Sequence, residues 1–188
     1  MILRALNKEE IERIYDTEMQ DDFPASELKP LSAIYRMIDA GHYEGKGLYE
    51  GNELLAYVLL SYTVPKDVAL IDYLAVCSKY RAKGIGSKLI SVIREGMSEW
   101  KGIVLEVENP EFAVNEAEYN VQCRRINFYL KNKIKSSDVK VTVFDVPFRI
   151  LYFTGFSLKE SSVRKGIENI YRVMFPKEIY DKFVKFDY

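Results

Sequence analysis

The stretch IDYLAVCSKYRAKGIGSKLI, residues 71–90, carries the strongest structural signal in this chain. It begins with an apolar run that ends at Val76 and is typical of a buried strand. A polar loop with Arg81 and Lys83 follows, and two glycines then open a pattern of helical period. The stretch therefore predicts a strand, a short basic loop and an amphipathic helix in direct succession.

This succession suits the binding of a phosphate group. The first backbone N–H groups of a helix have no partner within the helix, and the helix dipole is positive at that end. Gly84 and Gly86 have no side chain that would keep an anion from these donors. Arg81 and Lys83 would add positive charge, and Ser87 would add a hydroxyl donor. The segment predicts a diphosphate site, and the alternative is a helix start that uses glycine for close packing.

Strand-like and helical patterns continue on both sides of this segment, without repeats or low-complexity linkers. The strands predicted are residues 2–6, 43–49, 53–62, 68–76, 103–107, 139–146, 149–156 and 169–175. Helices are predicted after the capping residue Asn7, from about residue 30 to residue 41, over residues 84–100 and 115–132, and from Pro176 onward. The order predicts a mixed α and β fold, with a central parallel strand–helix–strand unit of right-handed connection. We expect residues 1–175 to form a single domain, with residues 176–188 as a C-terminal helix packed on it.

Composition excludes several classes of protein. The formal net charge of the 188 residues is −1, which argues against general nucleic-acid binding. Cys77 and Cys123 are too few for a disulfide scaffold and have no nearby base, so we expect them to pack. No signal peptide and no membrane-spanning run is recognisable, and no metal site is predicted. The expectation is a cytoplasmic protein without membrane partners, whose sole histidine, His42, lies at a helix end.

The six residues Arg81-Ala82-Lys83-Gly84-Ile85-Gly86 resemble the signature Arg/Gln-x-x-Gly-x-Gly/Ala of the GNAT N-acetyltransferase superfamily. The resemblance implies a central, mostly antiparallel twisted sheet flanked by helices, with a parallel strand pair at the cofactor cleft. It implies acetyl-CoA as co-substrate, an amine as acceptor, and a monomer or homodimer. The cofactor-binding residues implied are Leu74, Ala75 and Val76 along the pantetheine arm, and Arg81, Ala82, Lys83, Gly84, Ile85, Gly86 and Ser87 around the pyrophosphate.

The resemblance also implies a general acid on the helix over residues 115–132. The family tends to carry a tyrosine there that protonates the departing thiolate, and Arg125-Ile126-Asn127-Phe128-Tyr129 is similar to that site. Tyr129 would fill this role. Its alternative is an aromatic residue that packs beside the predicted buried stripe of this helix, which consists of Tyr119, Cys123, Ile126 and Leu130.

A general base must accept a proton from the amine, because an ammonium group has no lone pair. Asp72 is the only charge in an apolar strand, and Glu106 and Glu108 share one face of the next strand. Asp72 is a candidate because it lies next to the presumed cofactor path. Glu106 is a candidate because the resemblance implies that these two strands splay apart where the cofactor enters. The alternative for Asp72 is a structural role as a hydrogen-bonded or sheet-edge aspartate. The alternative for Glu106 and Glu108 is that they face solvent in an ordinary alternating strand, and we favour this for Glu108.

Acidic residues between the first two helices would attract a cationic acceptor, and Asp22 and Glu27 are the candidates for binding it. The alternative is that these acidic residues belong to an ordinary solvated turn. The predicted reaction is direct attack of an amine on acetyl-CoA in a ternary complex, with either a small cationic amine or a protein amine as acceptor. The alternative function is a non-catalytic, acyl-CoA-binding module with a regulatory role.

Overall fold

A computed structural model describes residues 1–25, 27–97, 100–154 and 156–187. This part of the chain contains strands, α-helices and short 3-10 turns. The strands are β1 (Ile2–Leu6), β2 (Tyr43–Glu50), β3 (Glu53–Tyr62), β4 (Val68–Val76), β5 (Gly102–Glu108), β6 (Ile134–Val143), β7 (Val146–Phe153) and β8 (Val184–Phe186). The helices are α1 (Lys8–Asp16), α2 (Glu18–Asp22), α3 (Leu31–Asp39), α4 (Ile85–Gly96), α5 (Glu116–Lys131), α6 (Val163–Met174) and α7 (Lys177–Phe183).

Contacts divide the chain into two compact units, and the first consists of Met1–Val64 and Ile71–Met97. Its strands lie in the order β1-β2-β3-β4, and β1, β2 and β3 pair antiparallel. Strand β3 reads ELLAYVLLSY, and its residues 55–62 are all buried. Such a near-continuous apolar run is typical of a strand that is covered on both faces, so β3 forms the centre of this unit.

Helix α1 packs closely on β2 because β2 carries a glycine at the point of contact. A Cβ atom at Gly45 would lie 2.9 Å from a methyl carbon of Leu59 and 3.1 Å from the Cδ1 atom of Ile11 in α1. The predicted start of α1 is confirmed: the Asn7 side chain accepts a hydrogen bond from the Glu10 N–H at 2.8 Å, and the Glu10 carboxylate accepts one from the Asn7 N–H at 3.0 Å.

The second unit consists of Pro65–Leu70 and the chain beyond Met97. It includes the first residues of β4, and its strands follow the order β4-β5-β7-β6-β8. The backbone N–H groups of Lys101 and Gly102 donate to the Asp67 carbonyl at 2.8 and 3.2 Å, which sets β5 beside the start of β4. The β4–β5 pair is parallel, whereas β5–β7, β6–β7 and β6–β8 are antiparallel. The predicted mixed fold with one parallel pair is confirmed.

The C-terminal part of the chain differs from the prediction. The strand predicted over residues 169–175 is wrong, because these residues mostly lie in α6, which runs from Val163 to Met174. Buried side chains recur at three- and four-residue spacing along α6, so the period is helical. These buried residues are Val163, Ile167, Ile170, Tyr171 and Met174. The helix expected over residues 176–188 ends at Phe183, and β8 follows it and pairs with β6; Tyr188 lies outside the described residues.

The predicted hairpin turn is also displaced. The sequence indicated a turn around Pro147, whereas β6 and β7 are joined by Phe144 and Asp145, which have φ angles of +49° and +65°. Two consecutive residues with positive φ form the tight turn that matches the twist of antiparallel strands. Pro147 therefore lies within β7, opposite Thr142. Gly155, near the end of this predicted hairpin, lies outside the described residues.

Candidate active site

The loop between β4 and α4 presents an open helix start in the first unit. Ser78–Tyr80 forms a 3-10 turn, and the chain then reverses through Ala82, with φ +60°, and Gly84, with φ +77°. Gly84 is the N-cap of α4, and among the described residues no side chain caps this helix. The start of α4 therefore lacks a side-chain acceptor for its first N–H groups, which is the arrangement that an external acceptor needs.

The loop holds its backbone under strain and at the surface. Residues 81–84 and Ser87 are exposed, whereas Ile85 is buried and anchors the first turn of α4. A positive φ at Ala82 is unfavourable for a residue with a Cβ atom, and such conformations cluster at ligand-binding sites. An extra Cβ at Gly84 would meet no atom within 4 Å, so glycine is required there by its φ and not by crowding.

The two basic side chains of this loop are bonded within the first unit. Arg81 donates from Nε to the Val76 carbonyl at 3.1 Å and from Nη2 to the Asp22 carboxylate. Lys83 donates to the Lys79 carbonyl at 2.9 Å. The positive charge predicted beside the phosphate is thus present in the loop, but both side chains are already engaged with protein groups.

The predicted acceptor-binding residues Asp22 and Glu27 have different environments. The Asp22 side chain is only 2% exposed, and its second oxygen accepts a hydrogen bond from the Tyr57 hydroxyl at 2.7 Å. Glu27 is exposed, and its backbone carbonyl accepts a hydrogen bond from the Tyr73 hydroxyl at 2.9 Å. Asp22 is therefore a buried, bonded carboxylate, and Glu27 is the one of the pair that faces solvent.

Asp72, a candidate base, is bonded at both carboxylate oxygens. Its side chain is 3% exposed, and it pairs with the Lys29 ammonium at 2.6 Å and accepts from the Tyr43 hydroxyl at 2.6 Å. The Lys29 nitrogen also lies 5.2 Å from the centre of the Tyr73 ring. Burial, followed by the nearby Asp72 charge, raises the pKa of Tyr43 well above its ordinary value, so this phenol stays a donor.

Glu106, the other candidate base, lies on β5 in the second unit and accepts a hydrogen bond from the Tyr171 hydroxyl of α6. Tyr171 is 1% exposed. Glu108, two residues along the same strand, pairs instead with Arg125 of α5 at 3.2 Å. The Tyr171 hydroxyl that donates to Glu106 is neutral, whereas the Arg125 side chain that pairs with Glu108 is cationic.

Tyr129 is one of only two buried residues that α5 has in the described part of the chain; the other is Gln122. The predicted buried stripe is wrong, since Tyr119 is 50% exposed and Leu130 is 44% exposed. Of the predicted stripe, Cys123 and Ile126 are half-buried. Apolar side chains occur on several faces of this helix, which leaves its periodicity ambiguous. Burial raises the pKa of Tyr129, and the charge of Arg125 opposes the rise, so the phenol is protonated at neutral pH and can donate.

The remaining reactive side chains have structural contacts. Burial raises the pKa of Cys77 to about 11, which leaves a thiol of low reactivity. The Nδ1 atom of His42 lies 3.1 Å from the Tyr62 carbonyl oxygen. The backbone N–H of His42 donates to the Met37 carbonyl and so caps the end of α3. Across residues 1–25, 27–97, 100–154 and 156–187, no group of three His, Cys, Asp or Glu side chains is placed to hold a metal ion. In the same ranges no helix is both long and apolar enough to cross a membrane.

Sequence reasoning missed several partners of these residues. Asp72 contacts Lys29 and Tyr43. Asp22 contacts Tyr57, and Glu106 contacts Tyr171. Their separation in sequence is 29 to 65 residues, so no local pattern links them. The only available signal was the charge of Asp72 in an apolar strand, which indicates that a partner is needed.

Comparisons with known proteins agree with this geometry. The model of the acetyltransferase (GNAT) family matches residues 8–117, more than half of the chain. No curated protein sequence matches closely enough to be counted as a relative.

Solved structures share the fold at low sequence identity. A protein from Bacteroides thetaiotaomicron assigned to the GNAT acetyltransferases is 18% identical, with a TM-score of 0.71 over 89% of this chain and 93% of that one. The ribosomal-protein-S18-alanine N-acetyltransferase of Escherichia coli is 16% identical, with a TM-score of 0.58 over 81% and 92%. The spermidine N-acetyltransferase of Vibrio cholerae, in complex with CoA and spermine, is 12% identical, with a TM-score of 0.58 over 81% and 94%. These structures show the fold, and the family model, which matches more than half of the chain, shows that the chain belongs to the GNAT family of acetyltransferases.

Proposed function

We propose that this protein is an N-acetyltransferase that transfers the acetyl group of acetyl-CoA to an amine. The observation that carries the proposal is the open start of α4, which follows β4 through an exposed, strained loop and offers backbone donors. Membership of the GNAT family supports this reading, because the loop lies within the matched residues 8–117. Fold alone would not suffice, since one fold hosts many functions.

The loop would hold the pyrophosphate through the backbone amides of residues 82–87. Upstream, the backbone of Leu74, Ala75 and Val76 would bind the pantetheine arm; the side chains of these residues are half-buried. When bound, acetyl-CoA supplies an activated carbonyl group. What these residues contribute is orientation, because holding the acetyl donor in place replaces a bimolecular encounter with a prearranged one.

A carboxylate of the protein would accept the proton that the acceptor ammonium must lose. We favour Glu106 over Asp72 for this step. Glu106 is bonded by the neutral Tyr171 hydroxyl, whereas Asp72 already neutralises the Lys29 ammonium and accepts from Tyr43. Asp72 would have to give up its ion pair with Lys29 before it served as a base, and breaking a buried ion pair is costly.

Tyr129 would donate its phenolic proton to the departing sulfur. Its raised pKa keeps the phenol protonated at neutral pH, so the hydroxyl can donate a hydrogen bond and then its proton to the sulfur. This role rests on the resemblance of residues 125–129 to the corresponding family site and on the burial of the side chain.

The acceptor would be a cationic small amine or a protein amine. Solved structures of the same fold are described as acting on spermidine and on the alanine of a ribosomal protein. Asp21 of α2 and Glu27 are both exposed and support a cationic acceptor, whereas Asp22, the other predicted acceptor-binding residue, is already paired with Arg81. Location in the cytoplasm, a monomeric or homodimeric state, a single domain and the absence of nucleic-acid partners stay predictions from the sequence.

A thiol-release assay tests the reaction. The protein is incubated with acetyl-CoA and, in separate reactions, with spermidine, an aminoglycoside, a peptide with N-terminal alanine and a lysine peptide. We expect one class of amine to raise free CoA above the acceptor-free rate, with the acetylated amine found by mass spectrometry. CoA binding without release for any amine would favour the non-catalytic binding module instead.

The Gly86→Glu variant tests the cofactor loop. Bulk and negative charge at the start of α4 should lower CoA affinity by about tenfold or more in calorimetry. The matched control is Gly96→Glu, the same change at the opposite end of α4, where a Cβ atom meets nothing within 4 Å. Unchanged affinity in Gly86→Glu would contradict the assignment of the loop.

A further inference from the structure

Arg81 is the first residue of the glycine-rich loop, yet its side chain is directed to protein groups. The guanidinium donates to the Val76 carbonyl at 3.1 Å through Nε and to the Asp22 carboxylate through Nη2. Val76 ends β4 and Asp22 ends α2. The Arg81 side chain therefore connects the end of β4, the end of α2 and the loop between β4 and α4.

The Asp22 carboxylate requires this contact because it is buried. It is 2% exposed, and its other oxygen accepts from Tyr57, a fully buried residue of the central strand β3. Arg81 forms the only ion pair that the structure records for it in the described residues. A buried carboxylate that loses its cationic partner is strongly destabilised, so Asp22 holds Arg81 in one geometry.

Fixing Arg81 fixes the backbone that follows it. The next residues reach the start of α4 through the positive φ angles of Ala82 and Gly84, so a shift at Arg81 changes where the amide groups point. Beyond Asp22, Phe23 packs edge-on against the Tyr73 ring at 5.0 Å, which holds the end of α2 on β4 as well.

From these contacts we propose that Arg81 is a positioning residue and not a phosphate ligand. Through its bond to Asp22 it sets the geometry of the backbone amides that bind the diphosphate of CoA, and it couples α2 to that loop. The proposal rests on the proposed function, because it takes CoA as the ligand of the loop.

Calorimetry with CoA separates the two roles of Arg81. In Asp22→Asn the carboxylate charge is lost but Arg81 remains. If Arg81 is a positioning residue, CoA affinity falls about as much as in Arg81→Gln, and the double variant shows no further loss. If Arg81 binds phosphate directly, freeing it in Asp22→Asn leaves affinity unchanged or raised, and the proposal is overturned.

A conservative variant supplies a second readout that does not depend on the folding of Asp22→Asn. Lysine keeps the charge of Arg81 but cannot bond two groups in the fixed fork geometry of a guanidinium. We expect Arg81→Lys to lose affinity like Arg81→Gln, by the same factor at low and high salt. Rescue by lysine, or a loss that shrinks with salt, would indicate a phosphate contact and overturn the proposal.

Lys83→Gln is the matched control, since it removes a charge from the same loop without touching Asp22. Its loss of affinity should be smaller than that of Arg81→Gln. Wild-type protein that binds no CoA would refute the proposed function, and this proposal with it. Wild-type binding with unaffected Asp22→Asn would refute the positioning role alone.

Discussion

At the scale of single residues, burial determines what the ionisable groups of this protein can do. Asp72 and Asp22 are almost fully buried and each has one cationic and one phenolic partner. Removing one partner of such a buried carboxylate is strongly destabilising. Tyr129 is also buried, but its raised pKa keeps it neutral and able to donate a proton.

The Tyr129→Phe variant should lower turnover and leave cofactor binding almost unchanged. Removing the hydroxyl removes the proposed proton donor but keeps the packed ring, so we expect kcat to fall by about a hundredfold. CoA affinity should stay within about twofold. Steady-state kinetics and calorimetry on the same preparation measure both quantities.

The control for this variant is Tyr119→Phe, because Tyr119 lies on the same helix and is 50% exposed. It should retain wild-type kcat. Equal turnover in wild type and Tyr129→Phe would remove Tyr129 from the mechanism.

At the scale of elements, caps and close contacts determine where each helix begins. The start of α1 combines a capping box, formed by Asn7 and Glu10, with an Arg4 side chain that reaches the Glu10 carboxylate at 2.6 and 3.0 Å. The start of α4 has no side-chain cap in the described residues. One helix start is thus closed for stability, and the other stays open to an external acceptor.

The capping box should make part of the stability pH-dependent. Hydrogen bonds from Arg4 and then from the Asn7 backbone lower the pKa of Glu10 from 4.5 to about 2. A folded-state pKa below the unfolded one gives stability that is complete above about pH 4.5 and lost as the pH falls toward about 2. Glu10→Gln should therefore lower Tm by about 2 to 4 °C at pH 7. The difference from wild type should close toward pH 2.

Thermal unfolding at several pH values tests this expectation, with Glu9→Gln as control. Glu9 is exposed in the same first turn and makes no capping bond in the described part of α1. A gap between wild type and Glu10→Gln that stays constant down to pH 2 would be inconsistent with a titrating cap.

At the scale of the whole molecule, the proposed CoA site should be linked to the stability of the fold. The loop of residues 81–87 and its Asp22 contact lie within the first unit. A ligand that binds only the folded protein stabilises it in proportion to the logarithm of its excess over Kd. CoA binding should consequently be visible as a change in global stability, whatever the acceptor amine is.

CoA at about a hundredfold excess over its Kd should add about 2.7 kcal/mol of stability. For a chain of this size that corresponds to a rise in Tm of about 5 to 10 °C. Differential scanning fluorimetry measures the shift, and Gly86→Glu at the same CoA concentration should show almost none. The absence of any shift in wild type at saturating CoA would argue against a CoA-binding protein.

The sequence by itself determined the mixed fold, most strand and helix bounds, the capping of α1 and the family, because periodicity and the Arg-x-x-Gly-x-Gly segment depend on neighbouring residues. Only the tertiary structure decided that α6 is a helix, which face of α5 is buried, and which partners hold Asp22, Asp72 and Glu106. Those partners lie 29 to 65 residues away along the chain. A charged residue in an apolar strand indicates from the sequence alone that a partner is required, but the identity of that partner depends on how the folded elements pack.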